Sequence, residues 1–307
     1  MKTMMMMMTA ALLMLSCGQS YEETQRISRQ RQRQLQREDS AALKVAVMPT
    51  MDCLPLFVAK EHGLFEKQGV DVRLKMYQAQ MDCDTAVERG RVEGVVSDLV
   101  RTERMQQRGT PLRYVAATNA YWQLVTNRQA RIRELKQLDD KMVAMTRYSA
   151  TDLLTTVAVD SAKLKTERVF RIQINDVNLR LKMLIGNEID AMMLTEPQAV
   201  KARLQKHRVL LDSRRLDLRL GVVAFREKAL KEKKRQQQFD AFMKAYNQAC
   251  DSLARHGLKG YRAVVEKYCE VSGAPLDSLA KSLVYERAKE PRQTDVERAQ
   301  QWLKKTD

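Results

Sequence analysis

Between Leu43 and Asn119 short β-branched runs alternate with amphipathic stretches, and after Trp122 the same alternation begins again. "LKVAVM" (43–48) precedes Leu54, Phe57, Val58 and Leu64 near helical spacing, and "VDVRLKMY" (70–77) then alternates as a half-buried strand does. "VEGVVS" (92–97), a helix over 98–109 and "LRYVAATN" (112–119) continue the series. Strand and helix in turn at this spacing require mostly parallel sheets flanked by helices, so the class is α/β. The second series predicts strands at 123–127, 141–146, 169–174, 189–194, 207–211 and 218–225, and helices at 149–164, 176–187 and 197–206. Residues 227–305 read as a helical tail of three or four helices.

The two series also echo each other. "RGRVEGVVSDL" (89–99) and "GNEIDAMMLTE" (186–196) share a helix end, then Val or Ile, an acid, a small residue and an apolar strand. Two similar lobes account for both the echo and the chain length.

"MKTMMMMMTAALLMLSCG" has the charged start and short apolar core of a secretory signal, too short to span a bilayer. It resembles a bacterial lipoprotein signal over residues 1–16, which implies lipidation of Cys17. Residues 17–42 are polar and rich in Gln and Arg, so an unstructured lipidated tether is expected there. No later stretch is apolar enough to span, so the chain is expected to be anchored to a bacterial membrane in the cell envelope, facing the periplasm or exterior.

The remaining cysteines, Cys53, Cys83, Cys250 and Cys269, form an even set in an exported chain. Cys53 and Cys83 occupy equivalent turns, and Cys250 and Cys269 flank "RHGLKG", so those pairings are one expectation and free buried thiols the other. With no CxxC and three histidines, neither a metal site nor a cofactor is expected. The chain carries 54 Lys+Arg against 38 Asp+Glu, net +16. No basic run lies beside stacking aromatics, so the excess reads as solvated helix faces, without nucleic-acid binding.

In open α/β sheets ligands bind beyond the carboxyl ends of strands, where helix N-termini present free N–H groups. Here those places are 50–53, 80–84, 97–98, 119–122, 146–152 and 195–197. On the first lobe they give Asp52, Cys53, Asp82, Asp84, Ser97 and Asp98 as candidate ligand-binding residues. Asn119 and Trp122 at the crossing, with Tyr148, Ser149, Thr151 and Glu196 on the second lobe, complete the set. The Asp residues also stand where helix N-caps belong.

"LKVAVMPTMDCLPLFVAKEHGLFEKQGVDVRL", "RGRVEGVVSDL", "EIDAMMLTEP" and the helical tail resemble the substrate-binding proteins of the nitrate/sulfonate/taurine and thiamine-pyrimidine group of ABC importers. The resemblance implies a two-lobed periplasmic-binding-protein-like fold that closes on one small molecule as a monomer, serving a permease and its ATPase subunits. Lobe I is then 43–121 and 224–307, lobe II 122–223, with crossings near 119–122 and 222–225. An acid-rich rim disfavours anions and favours hydrogen-bond donors, which selects an aminopyrimidine or similar heterocycle. If those acids turn outward as caps, a sulfonate, taurine or nitrate ligand returns. A related family builds the thiamine pyrimidine with a Cys-rich run and pyridoxal phosphate. No such run or nucleophile–base set occurs here, so no catalysis is expected, and that enzyme class or a non-transport signalling lipoprotein stands as the alternative.

Overall fold

In the computed structural model, which describes residues 21–306, β1 (Leu43–Val47) pairs in parallel with β2 (Val72–Met76) and β3 (Gly94–Asp98). The expected signal segment, 1–16, and Cys17 lie outside the described residues. α2 (Leu54–Glu61), α3 (Leu64–Lys67), α4 (Gln80–Glu88) and α5 (Leu99–Gln107) connect these strands and lead to β4 (Leu112–Ala117). β4 does not join β3. Between them lies β10 (Gly221–Arg226), antiparallel to both, with Gly221 opposite Asp98 and Val222 opposite Ala117.

The second sheet repeats this plan. Its order is β7-β6-β8-β5-β9, against β2-β1-β3-β10-β4 in the first. Its strands are β5 (Gln123–Thr126), β6 (Lys141–Met145), β7 (Val169–Gln173), β8 (Ala191–Leu194) and β9 (Arg208–Asp212). α6 (Ala150–Ser161), α7 (Val177–Ile185) and α8 (Gln198–Leu204) flank it. The echoed segments end in β3 and β8, which hold equivalent central places. In each sheet the lone antiparallel strand, β10 or β5, follows a crossing between lobes.

The return crossing differs from expectation. Val222 to Phe225 lie inside β10, so the chain crosses back over 213–220 instead. The first crossing meets the start of β10 where the Thr118 amide donates to the Gly221 carbonyl at 2.9 Å. A Cβ on Gly221 would stand 2.2 Å from Thr118 Oγ1, so only glycine allows this approach.

α9 (Glu227–Leu230), α10 (Lys233–His256), α11 (Arg262–Cys269), α12 (Gly273–Leu279) and α13 (Gln293–Thr306) form the tail. Phe242 and Tyr246 of α10 pack with Phe57, Phe65 and Phe225 in the core beneath the first sheet. α13 belongs to the other core, where Val296 and Leu303 meet Leu99, Leu153 and Val159. Gln300 donates to Glu103 of α5 at 2.9 Å and Trp302 to Thr156 of α6 at 3.1 Å, so α13 straps the two lobes together.

The tether expectation is corrected. Residues 21–41 form a helix, α1 (Tyr21–Ala41), which is a separate unit from 43–307. It contains no Gly or Pro, and its Gln, Arg and Glu residues are strong helix formers. Bonds at i,i+4, from Arg29 to Gln25 and from Gln34 to Glu38, add to it. Low apolar content argues against a packed core, not against a helix.

The disulfide expectation is also corrected, for Cys53, Cys83, Cys250 and Cys269 are all free and buried. Cys83 packs with Ala86 and Val87 in a different cluster from Cys53, so equivalent turns in sequence are not neighbours in space. Cys250 bonds to the Tyr246 side chain, and Cys269 donates to the Thr50 carbonyl at 3.7 Å.

Candidate functional site

A cavity of ≈ 60 Å³ lies between the lobes at the carboxyl ends of the central strands. The first lobe lines it with Thr50, Asp52, Gln80, Ser97 and Asp98, and the second with Thr146, Ser149, Thr151, Arg180 and Thr195. Ala120 and Trp122 of the crossing complete the wall. The lobes are closed upon it: Ala79 and Asp176 form a β-bridge, and the Met51 amide donates to the Glu196 carbonyl at 3.1 Å.

Asp52 sits in a 3-10 turn (Met51–Cys53) where the chain leaves β1 and Pro55 starts α2. Burial pushes its carboxyl up, opposed by bonds from Thr50 and Thr118. Ser97 accepts from Gln80 at 3.1 Å. Asp98 caps α5 through the Arg101 amide at 3.0 Å, and the same Oδ1 accepts from the Ala150 amide of α6, also at 3.0 Å. Burial raises this carboxyl to about 6, despite the nearby Arg101 cation. On the second lobe Ser149 caps α6, accepting from the Thr151 amide and donating to the Thr146 carbonyl.

Arg180 is the residue that sequence reasoning missed. It is 4 % exposed, and burial lowers its pKa to about 10. It donates to the Met193 carbonyl at 2.8 Å and to Thr146 Oγ1 at 3.3 Å, while its Nε has no partner. Among the described residues it makes no ion pair; Asp176, whose charge raises its pKa, caps α7. A buried guanidinium without a carboxylate is costly unless an anion joins it. The signal was present in "VNLRLKML", where Arg180 falls on the stripe of Val177, Leu181 and Leu184 that faces inward.

The expected rim is brought together only in part. Asp52, Ser97, Asp98, Trp122, Ser149 and Thr151 line the cavity; Cys53, Asp82, Asp84, Asn119, Tyr148 and Glu196 do not. Cys53 turns into the core, its sulfur 3.6 Å from Thr50 Oγ1. Asp82 is exposed in the first turn of α4, and Asn119 donates to the Val284 carbonyl. Asp84 pairs with Arg101, and Tyr148 lies under Arg104, 3.4 Å from guanidinium to ring centre. Glu196, 2 % exposed, accepts from Tyr121 at 2.5 Å, from the Val200 amide at 2.8 Å and from Arg203 at 2.7 Å. Asp152, another rim acid, is held by Arg171 at 2.7 Å. Most rim acids are therefore neutralised by arginines or solvent, and two carboxylates reach the cavity.

A larger hollow of ≈ 370 Å³ opens beside Tyr121, Gln123 and Leu211. Two of its three cations are matched, Arg203 by Glu196 and Arg214 by Asp212, while Arg215 makes no ion pair among the described residues.

Two five-stranded sheets facing each other across a cavity at their strand ends form a periplasmic-binding-protein-like fold. The sequence matches the NMT1/THI5 like family over residues 50–257, and the chain belongs to that family. No curated protein matches it in sequence. Similar solved structures include the alkanesulfonate-binding protein from Xanthomonas axonopodis pv. citri bound to MOPS, with TM-score 0.73 and 18% identity over 87% of this chain and 92% of that one. The periplasmic nitrate-binding protein from Synechocystis PCC 6803 gives 0.70 and 14% over 83% and 74%. A ligand-binding component of an ABC-type import system from Staphylococcus aureus gives 0.73 and 15% over 86% and 91%.

Proposed function

We propose that this chain is the solute-binding component of an ABC importer and captures a small oxyanion, of sulfonate or nitrate type, between its two lobes. The observation that carries this reading is Arg180, a buried cation at the cavity without a carboxylate partner. Around it, Thr146, Ser149 and Thr151 bring hydroxyls suited to anion oxygens. At about 10–15 Å³ for each water-sized group, the cavity takes only about four to six heavy atoms. The similarity to sulfonate- and nitrate-binding proteins supports the same reading.

We assign binding and not catalysis, a reading supported by the similarity to sulfonate- and nitrate-binding proteins. Delivery to a permease with its ATPase subunits, a monomeric state and anchoring through a lipid on Cys17 at the cell envelope belong to the same proposal.

A second reading is an aminopyrimidine-like heterocycle, favoured by Trp122 at the wall and by Asp52, whose raised carboxyl suits a ring that donates hydrogen bonds. A thermal-shift panel on the chain from Gly18 onward separates the two. It would contain nitrate, methanesulfonate, taurine, aminopyrimidines and thiamine. A ligand at roughly 100 times its dissociation constant adds about 2.7 kcal/mol. A shift with nitrate or sulfonates that Arg180→Gln removes and Asp52→Asn spares supports the oxyanion. A shift with aminopyrimidines that Asp52→Asn removes overturns it.

A further inference from the structure

A second hollow, ≈ 340 Å³, opens between the lobes and shares no lining residue with the ligand cavity. Four arginines reach it: Arg101 and Arg104 from α5, Arg108 at its C-cap, and Arg147 from the turn after β6. Two acids face them. Asp84 pairs with Arg101 and Glu88 with Arg108, the latter at 3.6 Å. Arg104 and Arg147 have no carboxylate partner among the described ion pairs. Arg104 lies instead on the face of Tyr148, and Arg147 is exposed at the rim.

The buried layer of this wall is incomplete in a specific way. Arg101, with a side chain 6% exposed, has an Nε without a partner, and Asp84 has an Oδ1 without one. One wall thus lacks an acceptor for a guanidinium and a donor for a carboxylate, while two further guanidinium groups lack a negative charge. A species carrying about two negative charges, several acceptor oxygens and one hydroxyl donor would meet all of these needs.

We propose that this hollow binds inorganic phosphate as monohydrogen phosphate, with Arg101, Arg104 and Arg147 on its oxygens and its P–OH donating to Asp84. Because Arg101 and Arg104 belong to the first lobe and Arg147 and Tyr148 to the second, phosphate there holds the lobes together. It therefore strengthens retention of whatever occupies the ligand cavity. The preference over sulfate follows from Asp84: sulfate has no hydroxyl, and its oxygens meet a carboxylate with nothing to donate.

The test is thermal unfolding of the chain from Gly18 onward at neutral pH, in phosphate, sulfate and chloride at matched ionic strength. Phosphate at roughly 100 times its dissociation constant should raise Tm by about 5 °C more than chloride does. Sulfate should give less than half of that. Arg147→Gln alone, at an exposed position, should weaken phosphate at least tenfold, and Arg104→Gln with Arg147→Gln should abolish the shift. A charge-matched control, Arg133→Gln with Arg298→Gln, should retain it, because screening of the net charge does not depend on which arginines are lost. Arg180→Gln should also retain it, which separates this site from the ligand cavity. Equal shifts with sulfate and phosphate, loss in the control pair, or loss in Arg180→Gln would each overturn the proposal.

Discussion

Asp98 and Ala150 stand in different lobes, and one carboxylate oxygen joins them: Oδ1 of Asp98 accepts the Ala150 amide at 3.0 Å while also capping α5 through Arg101. A fixed negative charge therefore sits at the start of two helices whose dipoles would otherwise both face the cavity. Burial lifts this carboxyl from 3.8 to about 6, so the folded protein takes up a proton more readily than the unfolded chain between those values. Stability from this group is greatest below the unfolded value and falls as pH rises through the folded one. The stability difference, Asp98→Asn minus wild type, should therefore grow between about pH 4 and pH 6, by at most about 3 kcal/mol. Urea unfolding of both proteins across that range checks it; a difference that does not change with pH would rule out Asp98 as the titrating group.

Arg180 makes the sharpest binding prediction. Replacing it with Gln removes a buried charge that has no protein counter-ion, so unfolding without ligand should change by less than about 1 kcal/mol. Anion affinity should fall by about 2–5 kcal/mol, the range for losing one partner of a buried charge pair. Calorimetric titration with the best anion of the panel measures the affinity. Undiminished binding would remove Arg180 from the site.

Glu196 should behave in the opposite way. It gathers Tyr121, Arg203 and the Val200 amide at a buried point outside the ligand cavity. Glu196→Gln keeps the shape but discharges Arg203's partner, and should destabilise by about 1.5–3 kcal/mol. Ligand affinity, measured where the variant remains folded, should stay within about threefold of wild type.

The four thiols at 53, 83, 250 and 269 are buried, and burial is the first cause raising the pKa of each. Thiolates are thus scarce as well as shielded. An aromatic disulfide reagent should leave the native chain from Gly18 onward nearly untouched and modify four thiols in guanidinium. Fewer than four after full unfolding without reductant would mean that a disulfide exists.

The strands were legible because β-branched runs bounded by turns need no tertiary knowledge, and "LKVAVM" could hardly be anything else. The echo at 89–99 and 186–196 located the equivalent central strands, β3 and β8. Half of the site followed from one rule, that ligands gather beyond strand carboxyl ends: Asp52, Ser97, Asp98, Ser149 and Thr151 all lie there. That rule does not say which way a side chain turns, so Glu196 and Cys53, one step along the same turns, point into the protein. Nor does it reach Arg180, which comes from the inward stripe of a helix. α1 was misread because hydropathy reports on core formation, whereas its helix rests on backbone propensity and local pairs.

The exchanged strands have a consequence for the order of assembly. β3 is flanked in the finished sheet by β1 and β10, but β10 is made only after the whole second lobe. Until then β3 is a bare edge, β4 has no partner, and the first lobe cannot close. A nascent chain must therefore hold its first half unfinished until Arg226 has emerged. Long-range pairing of this kind is slow. That delay leaves the first half without a finished sheet for as long as the polypeptide is still being synthesised.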